Sequence, residues 1–258
     1  MHGEDYATPN LSWMLLGHSC RQAEALGLHA SSHHSSELGQ KRLCLFWLLF
    51  LMDKSCSLAF GRQAFLPMAV YQNVPLPNDD VLLRFHLHDG QRNAPEVSQF
   101  SAQFLKRSME LSKLVGLLLD LLMMGDTSLA RRDIRSKLDN WYQDTNQVST
   151  SPFFGVFKST NFLPFSQVLT DTMHVESASA SPCHLKEMAL GLNSIKFHYL
   201  HILVILVNGD ESNSTLRLSS ARDAISLLSS MVSNWSSIYN GVVWYENLSP
   251  FDRAKPVC

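Results

Sequence analysis

ELGQKRLCLFWLLFLMDKSCSLAFGR, residues 37–62, contains the longest unbroken apolar run of the chain, Leu43 to Met52, flanked by Lys41-Arg42 and Asp53-Lys54. Those ten residues are about half of the ~20 that span a bilayer, so the run predicts a buried core helix rather than a membrane helix. Ser36 supplies an N-cap hydroxyl, Glu37 a carboxylate for the positive end of the dipole, and Gly61 a break, which places the helix at about 37 to 58. With no polar face between 43 and 52, it is expected to be surrounded by its neighbours and to form the centre of the domain.

Working outward, Leu11, Met14, Leu15, Ala25 and Leu26 follow Pro9-Asn10 at helical spacing, and Gly27-Leu28 suits a glycine stop, giving a first helix at roughly 10 to 26. On the other side, Asn73-Val74-Pro75-Leu76-Pro77 is forced extended, because each proline lacks a donor and restricts its predecessor. Val97, Phe100, Phe104, Leu111, Val115, Leu118 and Leu122 then predict a long helix at about 96 to 124. Ala130, Ile134, Leu138 and Trp141 form one stripe of the next helix, expected to pair with it as a hairpin.

Residues 143–183 turn rich in Ser, Thr, Pro and Phe and read as a connection, with Leu163-Pro164-Phe165 expected to pack locally. Helical spacing returns at about 184 to 207 and, with Ala221, Ile225, Leu228, Val232 and Trp235 as its apolar side, at about 218 to 239. No window alternates as a strand would, so an irregular all-α fold is expected. Residues 1–142 form its core, 143–183 the connection and 184–258 a C-terminal helical pair.

A net charge of -2 and 45% hydrophobic content imply a folded chain without a general pull toward nucleic acid or anionic lipid. Met1 to Asn10 has no basic and apolar signal pattern, so an intracellular protein with reduced thiols is expected, and the sequons at Asn10, Asn213, Asn234 and Asn247 are read as chance. The five widely spaced cysteines contain no C-x-x-C, and no glycine-rich phosphate loop or G-x-S-x-G elbow occurs. His198 and His201 share a helix face without a third ligand, while His33-His34, His86-x-His88 and Cys183-His184 are isolated. The cluster Arg131, Arg132, Arg135, Lys137 is interrupted by Asp133 and Asp139 and reads as a solvated face. No catalytic set, metal site or cofactor site is therefore expected in this chain.

Ala23, Leu26, Gly27, Leu28 and His29, then Lys41-Arg42, Phe46-Trp47, Asp53-Lys54, Ser57, Gly61-Arg62 and Pro75-Leu76-Pro77 stand in an order that resembles a known signature. It is similar to the middle homology region of fungal zinc-cluster (Zn2Cys6) transcription factors, with Phe50 in place of the family's tyrosine, Lys54 of its arginine and Gln63 of its proline. The resemblance implies a nuclear regulatory domain that controls transcription by RNA polymerase II. Its expected partners are other transcription-factor segments or co-regulators, with no membrane partner and a small-molecule effector left open. Members carry an N-terminal cluster of six cysteines that holds zinc and docks on DNA, and no such cluster lies in these residues. The sequence is therefore expected to begin inside the middle region and stop early, with zinc and DNA contact belonging to a segment outside it. A different class remains as the alternative, a stand-alone helical protein that sequesters a partner or small ligand. Within the signature, Asp53 is expected to accept hydrogen bonds from Arg62 and so pin the loop after the second helix.

Overall fold

The computed structural model describes residues 7–30, 35–84, 95–124, 128–147, 182–208 and 211–238, and among them there are helices and turns but no strand. The elements are α1 (Ala7–Ala25), α2 (Glu37–Phe60), α3 (Met68–Tyr71), α4 (Asp79–Arg84), α5 (Pro95–Met124), α6 (Ser128–Gln147), α7 (Pro182–Leu206), a 3-10 turn (Glu211–Asn213) and α8 (Ser214–Ile238). The all-α class follows. The chain divides into two compact units, Met1–Thr145 and Asn146–Cys258.

In the first unit α2 is central, with α1, α4 and α5 packed on it. Ser36 caps it as expected, accepting from the Gly39 amide at 3.0 Å, and Gly61 closes it in the left-handed conformation at φ 60°, which a side chain would strain. Length and apolarity alone would let α2 cross a bilayer. Its buried sides instead meet protein: Phe46, Trp47, Phe50 and Leu43 are all inaccessible. The encirclement expected from the all-round apolar run is incomplete, because Leu38, Leu45 and Met52, seven residues apart, form an exposed stripe. Three packed neighbours cover three sides of a helix and leave a fourth.

The face of α1 also differs from expectation. Leu11, Met14, Leu15 and Leu26 are exposed, and the helix packs through Leu16, Cys20 and Ala23. A small side, not the larger aliphatic one, faces the core, which brings α1 close to α2; an added Cβ at Gly17 would lie 2.7 Å from the Phe65 ring.

Among the described residues α5 packs on α2, α3 and α4, and no comparable contact with α6, its partner in the expected hairpin, stands beside these. Its Ala102, Leu105 and Met109 join the core of α2. Two turns further on, Gly116 allows close approach: a Cβ there would lie 2.9 Å from Met68 Cβ and 3.3 Å from Lys54 Cε. Gly116→Ala gains about 1 kcal/mol of helix propensity, but overpacking costs about 1–3 kcal/mol. A net loss of roughly 1 kcal/mol is expected in the denaturant midpoint, and a stabilised variant would show that α5 can withdraw from α2 freely.

The expected helices at 10–26, 37–58, 96–124, 184–207 and 218–239 are all present within a few residues. α6 runs to Gln147, five residues into the expected connection, α7 begins at Pro182 within its last two, and residues 148–181, with Leu163-Pro164-Phe165, lie outside the described residues. In the second unit α7 and α8 pack together. α7 buries Leu192, Ile195, Ile202 and Leu206, whereas α8 buries Ser220 and Ala224 and exposes Leu218, Ile225, Leu228 and Val232. Thus its expected core face points outward.

Candidate functional site

The signature residues gather around α2 in three connected arrangements. The first is at the end of α1. The Gly27 amide bonds to the Glu24 carbonyl and the Leu28 amide to the Ala23 carbonyl, with Gly27 at φ 59°, so Leu26-Gly27-Leu28 is a Schellman stop closed by the buried pair Ala23 and Leu28. Leu26 is exposed and its carbonyl accepts from Arg42. The turn delivers His29 to an aromatic group, 5.5 Å from the Phe46 ring and 5.1 Å from Tyr71. Tyr71 donates its hydroxyl to Glu24, and burial together with that carboxylate raises its pKa well above the ordinary range.

The second arrangement surrounds Asp53 and Lys54, whose side chains are 0% and 1% exposed. One Asp53 oxygen accepts the Phe65 amide at 2.9 Å, and the other accepts the Leu66 amide at 3.0 Å and the Lys54 ammonium at 2.7 Å. Lys54 also donates to the Leu66 carbonyl and stands 4.1 Å from the centroid of the Phe50 ring. Burial lowers the Lys54 pKa, and the adjacent Asp53 carboxylate opposes that shift. The loop after α2 is therefore pinned by its own backbone at Phe65 and Leu66. Arg62 does not provide the expected bond: it is exposed, and its guanidinium lies 5.4 Å from the Trp13 ring. Gly61 turns the chain so that Arg62 points outward, while three residues later the amides come back over Asp53.

The third arrangement holds the extended strap. Trp47 Nε1–H donates to the Pro75 carbonyl at 2.7 Å, and Lys113 donates to the Val74 carbonyl at 3.3 Å while lying 4.7 Å from the Trp47 ring. At the far end the Asn78 amide donates to Gln40 Oε1 at 2.9 Å. Pro77 is buried, Leu76 half-buried and Pro75 exposed, so the strap lies along the surface with one side inward. Ser57 is buried, and its carbonyl accepts the Gly61 and Arg62 amides that end α2.

The structure thus brings Leu28, His29, Phe46, Trp47, Asp53, Lys54 and the strap around one helix, and leaves Leu26 and Arg62 at the surface. Sequence reading missed Glu24, Gln40, Lys113 and Asp120, the last of which accepts the Ala69 amide at 3.1 Å. A lone acid inside Leu117-Leu118-Leu119-Asp120-Leu121 was a readable signal; Glu24 and Lys113 offered none.

Chemically these groups are occupied. Both Asp53 oxygens are bonded and no solvent reaches them, so no path leads a substrate to them. Burial raises the Cys20 thiol to about 12 and Cys44 to about 11, keeping them protonated and unreactive. His198 uses Nδ1 to bond the Ser194 carbonyl at 2.7 Å, and burial then His198 lower the His201 pKa. Among the described residues no three His, Cys, Asp or Glu side chains converge as a metal would need. His33-His34 and His86-x-His88 lie outside the described residues, and of the side chains of Cys183 and His184 nothing is described.

Fold and site define a helical scaffold whose polar signature fastens turns onto a central helix. The chain belongs to the family described as the fungal specific transcription factor domain, which matches residues 1–143 and is a family of transcription factor domains, not of enzymes. It is also 20% identical, over 228 residues, to a protein of Claviceps purpurea (strain 20.1) called a transcriptional regulator. That match covers 88% of this chain and 33% of the relative, so the chain spans about a third of the relative's length. No solved structure matches.

Proposed function

We propose that the chain is the regulatory domain of a fungal zinc-cluster regulator of RNA polymerase II transcription, with residues 1–142 as its core, acting in the nucleus through helix packing. The observation that carries this reading is the family match over residues 1–143, the stretch in which the signature residues collect on α2. The similarity to a transcriptional regulator over most of the chain supports it. Zinc and DNA contact belong to a six-cysteine module of the whole protein and not to these residues, whose charge of -2 gives no phosphate attraction. Its partners are co-regulators and other segments of transcription factors, and it performs no catalysis.

Tethering the chain to an unrelated DNA-binding domain tests this. Reporter output in a fungal cell should change from that of the tether alone, and the untethered chain should show no specific band in a gel shift. An unchanged reporter, or tight and salt-resistant binding of the bare chain to one sequence, would sink the proposal.

A further inference from the structure

Asn208 stands just past the end of α7, exposed to water and followed in sequence by Gly209. Its side-chain carbonyl oxygen, Oδ1, accepts from Arg217 Nη1 at 2.9 Å, across the turn into α8. The backbone nitrogen of the next residue can close a five-membered ring on an asparagine side-chain carbonyl, and a glycine there has no Cβ to obstruct the approach. In this sequence only Asn208 and Asn240 precede a glycine.

We propose that Asn208 is a self-modification site, where the side-chain amide becomes an acid without an enzyme and the new charge grips the start of α8. The Gly209 nitrogen attacks Asn208 Cγ and gives up its proton, and Nδ2 takes a proton and leaves as ammonia, closing a cyclic imide. Water then opens the imide at either carbonyl, leaving aspartate or isoaspartate. Negative charge builds on Oδ1 during the attack, and the Arg217 guanidinium already donates to that atom. The product also suits its surroundings. The first turn of α8 has no acidic residue to meet the positive end of the helix, and a carboxylate at 208 supplies one. Its bond with Arg217 becomes charge-assisted. Asp210 and Glu211 follow in sequence, and Arg217 offsets the repulsion they exert on the new charge.

Ageing the full chain in neutral buffer and mapping its peptides by mass spectrometry tests the chemistry, with Asn240-Gly241 as an internal clock. The expected result is acid at Asn208, part of it isoaspartate, which direct hydrolysis of the side chain does not form. Arg217→Leu should slow conversion at Asn208 relative to Asn240 by about fivefold or more, a small part of what an enclosed oxyanion donor supplies. Helicity by circular dichroism should be unchanged. If it falls, Arg217→Lys takes its place, since it keeps the charge but not the planar fork, and slowing is expected again. An Asn208 that stays an amide, whether or not Asn240 converts, overturns the proposal, and so does an unchanged ratio in the folded variant. Asn208→Asp reads the consequence: backbone amides at residues 218–221 of α8 should exchange with solvent more slowly than in the wild type. Equal or faster exchange overturns the grip on α8.

Discussion

Asp53→Ala is expected to lower the stability of the first unit by roughly 3–5 kcal/mol, the range for removing one partner of a buried ion pair. At about 2–4 °C per kcal/mol, the melting temperature should fall by about 10 °C. Three losses combine. The Lys54 ammonium stays buried with the Leu66 carbonyl but no carboxylate, and the amides of Phe65 and Leu66 lose their acceptor. Replacing both charges, Asp53→Leu with Lys54→Met, removes the stranded ammonium and should recover part of the loss. Recovery stays incomplete, because the two amides remain unpaired at about 1–3 kcal/mol each when buried. Thermal melting of the three proteins checks the ordering, and an Asp53→Ala curve that overlays the wild type would remove the loop lock from the account.

That lock shows how far the sequence could be read. The presence and ends of the long helices were legible, because Ser36, Gly27 and Gly61 act locally: a hydroxyl accepts the amide three residues on, and a glycine reverses the chain without help from distant residues. The importance of Asp53 was legible too, but not its partners. A carboxylate seeks the nearest donors, and sequence reveals charged donors such as Arg62 while backbone amides, present at nearly every residue, carry no sequence signal. Helices α3 and α4, of four and six residues, are shorter than the two turns from which periodicity can be read.

Helix faces were the larger error, and α1 and α8 failed in the same manner. In both, the aliphatic stripe looks like a core face, yet the small residues Cys20 and Ala23, or Ser220 and Ala224, are buried. A hydrophobic stripe shows that a helix face wants cover. It does not show that the cover is in the same unit. Where a neighbouring helix is already broadly apolar, as α7 is with Leu200, Ile202, Leu203 and Leu206 all buried, close approach through small residues gains dispersion contacts along the whole backbone. The aliphatic stripe is then left facing outward.

Trp47→Ala is expected to cost about 3–5 kcal/mol as well, for the void left by a fully buried indole, and it should also release the strap. The indole touches four groups at once: Phe50 at 5.0 Å and Phe46 at 5.6 Å between ring centroids, the Lys113 ammonium at 4.7 Å, and the Pro75 carbonyl through Nε1. Trp47→Phe separates these contributions. It keeps most of the volume but removes the N–H, so it should cost only about 1 kcal/mol globally, because exposed Pro75 can bond water instead. Locally the effect should be larger. With Pro75 freed, the Asn78 amide on Gln40 should exchange with solvent faster than in the wild type, while the helical amides of α2 hold. Lys113→Met removes the cation that grips both the ring and the Val74 carbonyl. Combined with Trp47→Phe it should cost less than the two single changes added, since both act on one strap. Strict additivity, or a Trp47→Ala protein within about 1 kcal/mol of wild type, where truncating a packed Trp costs 3–5, would show that the strap is held by proline stiffness alone. The connection from α2 to α5 would then need no grip from the indole.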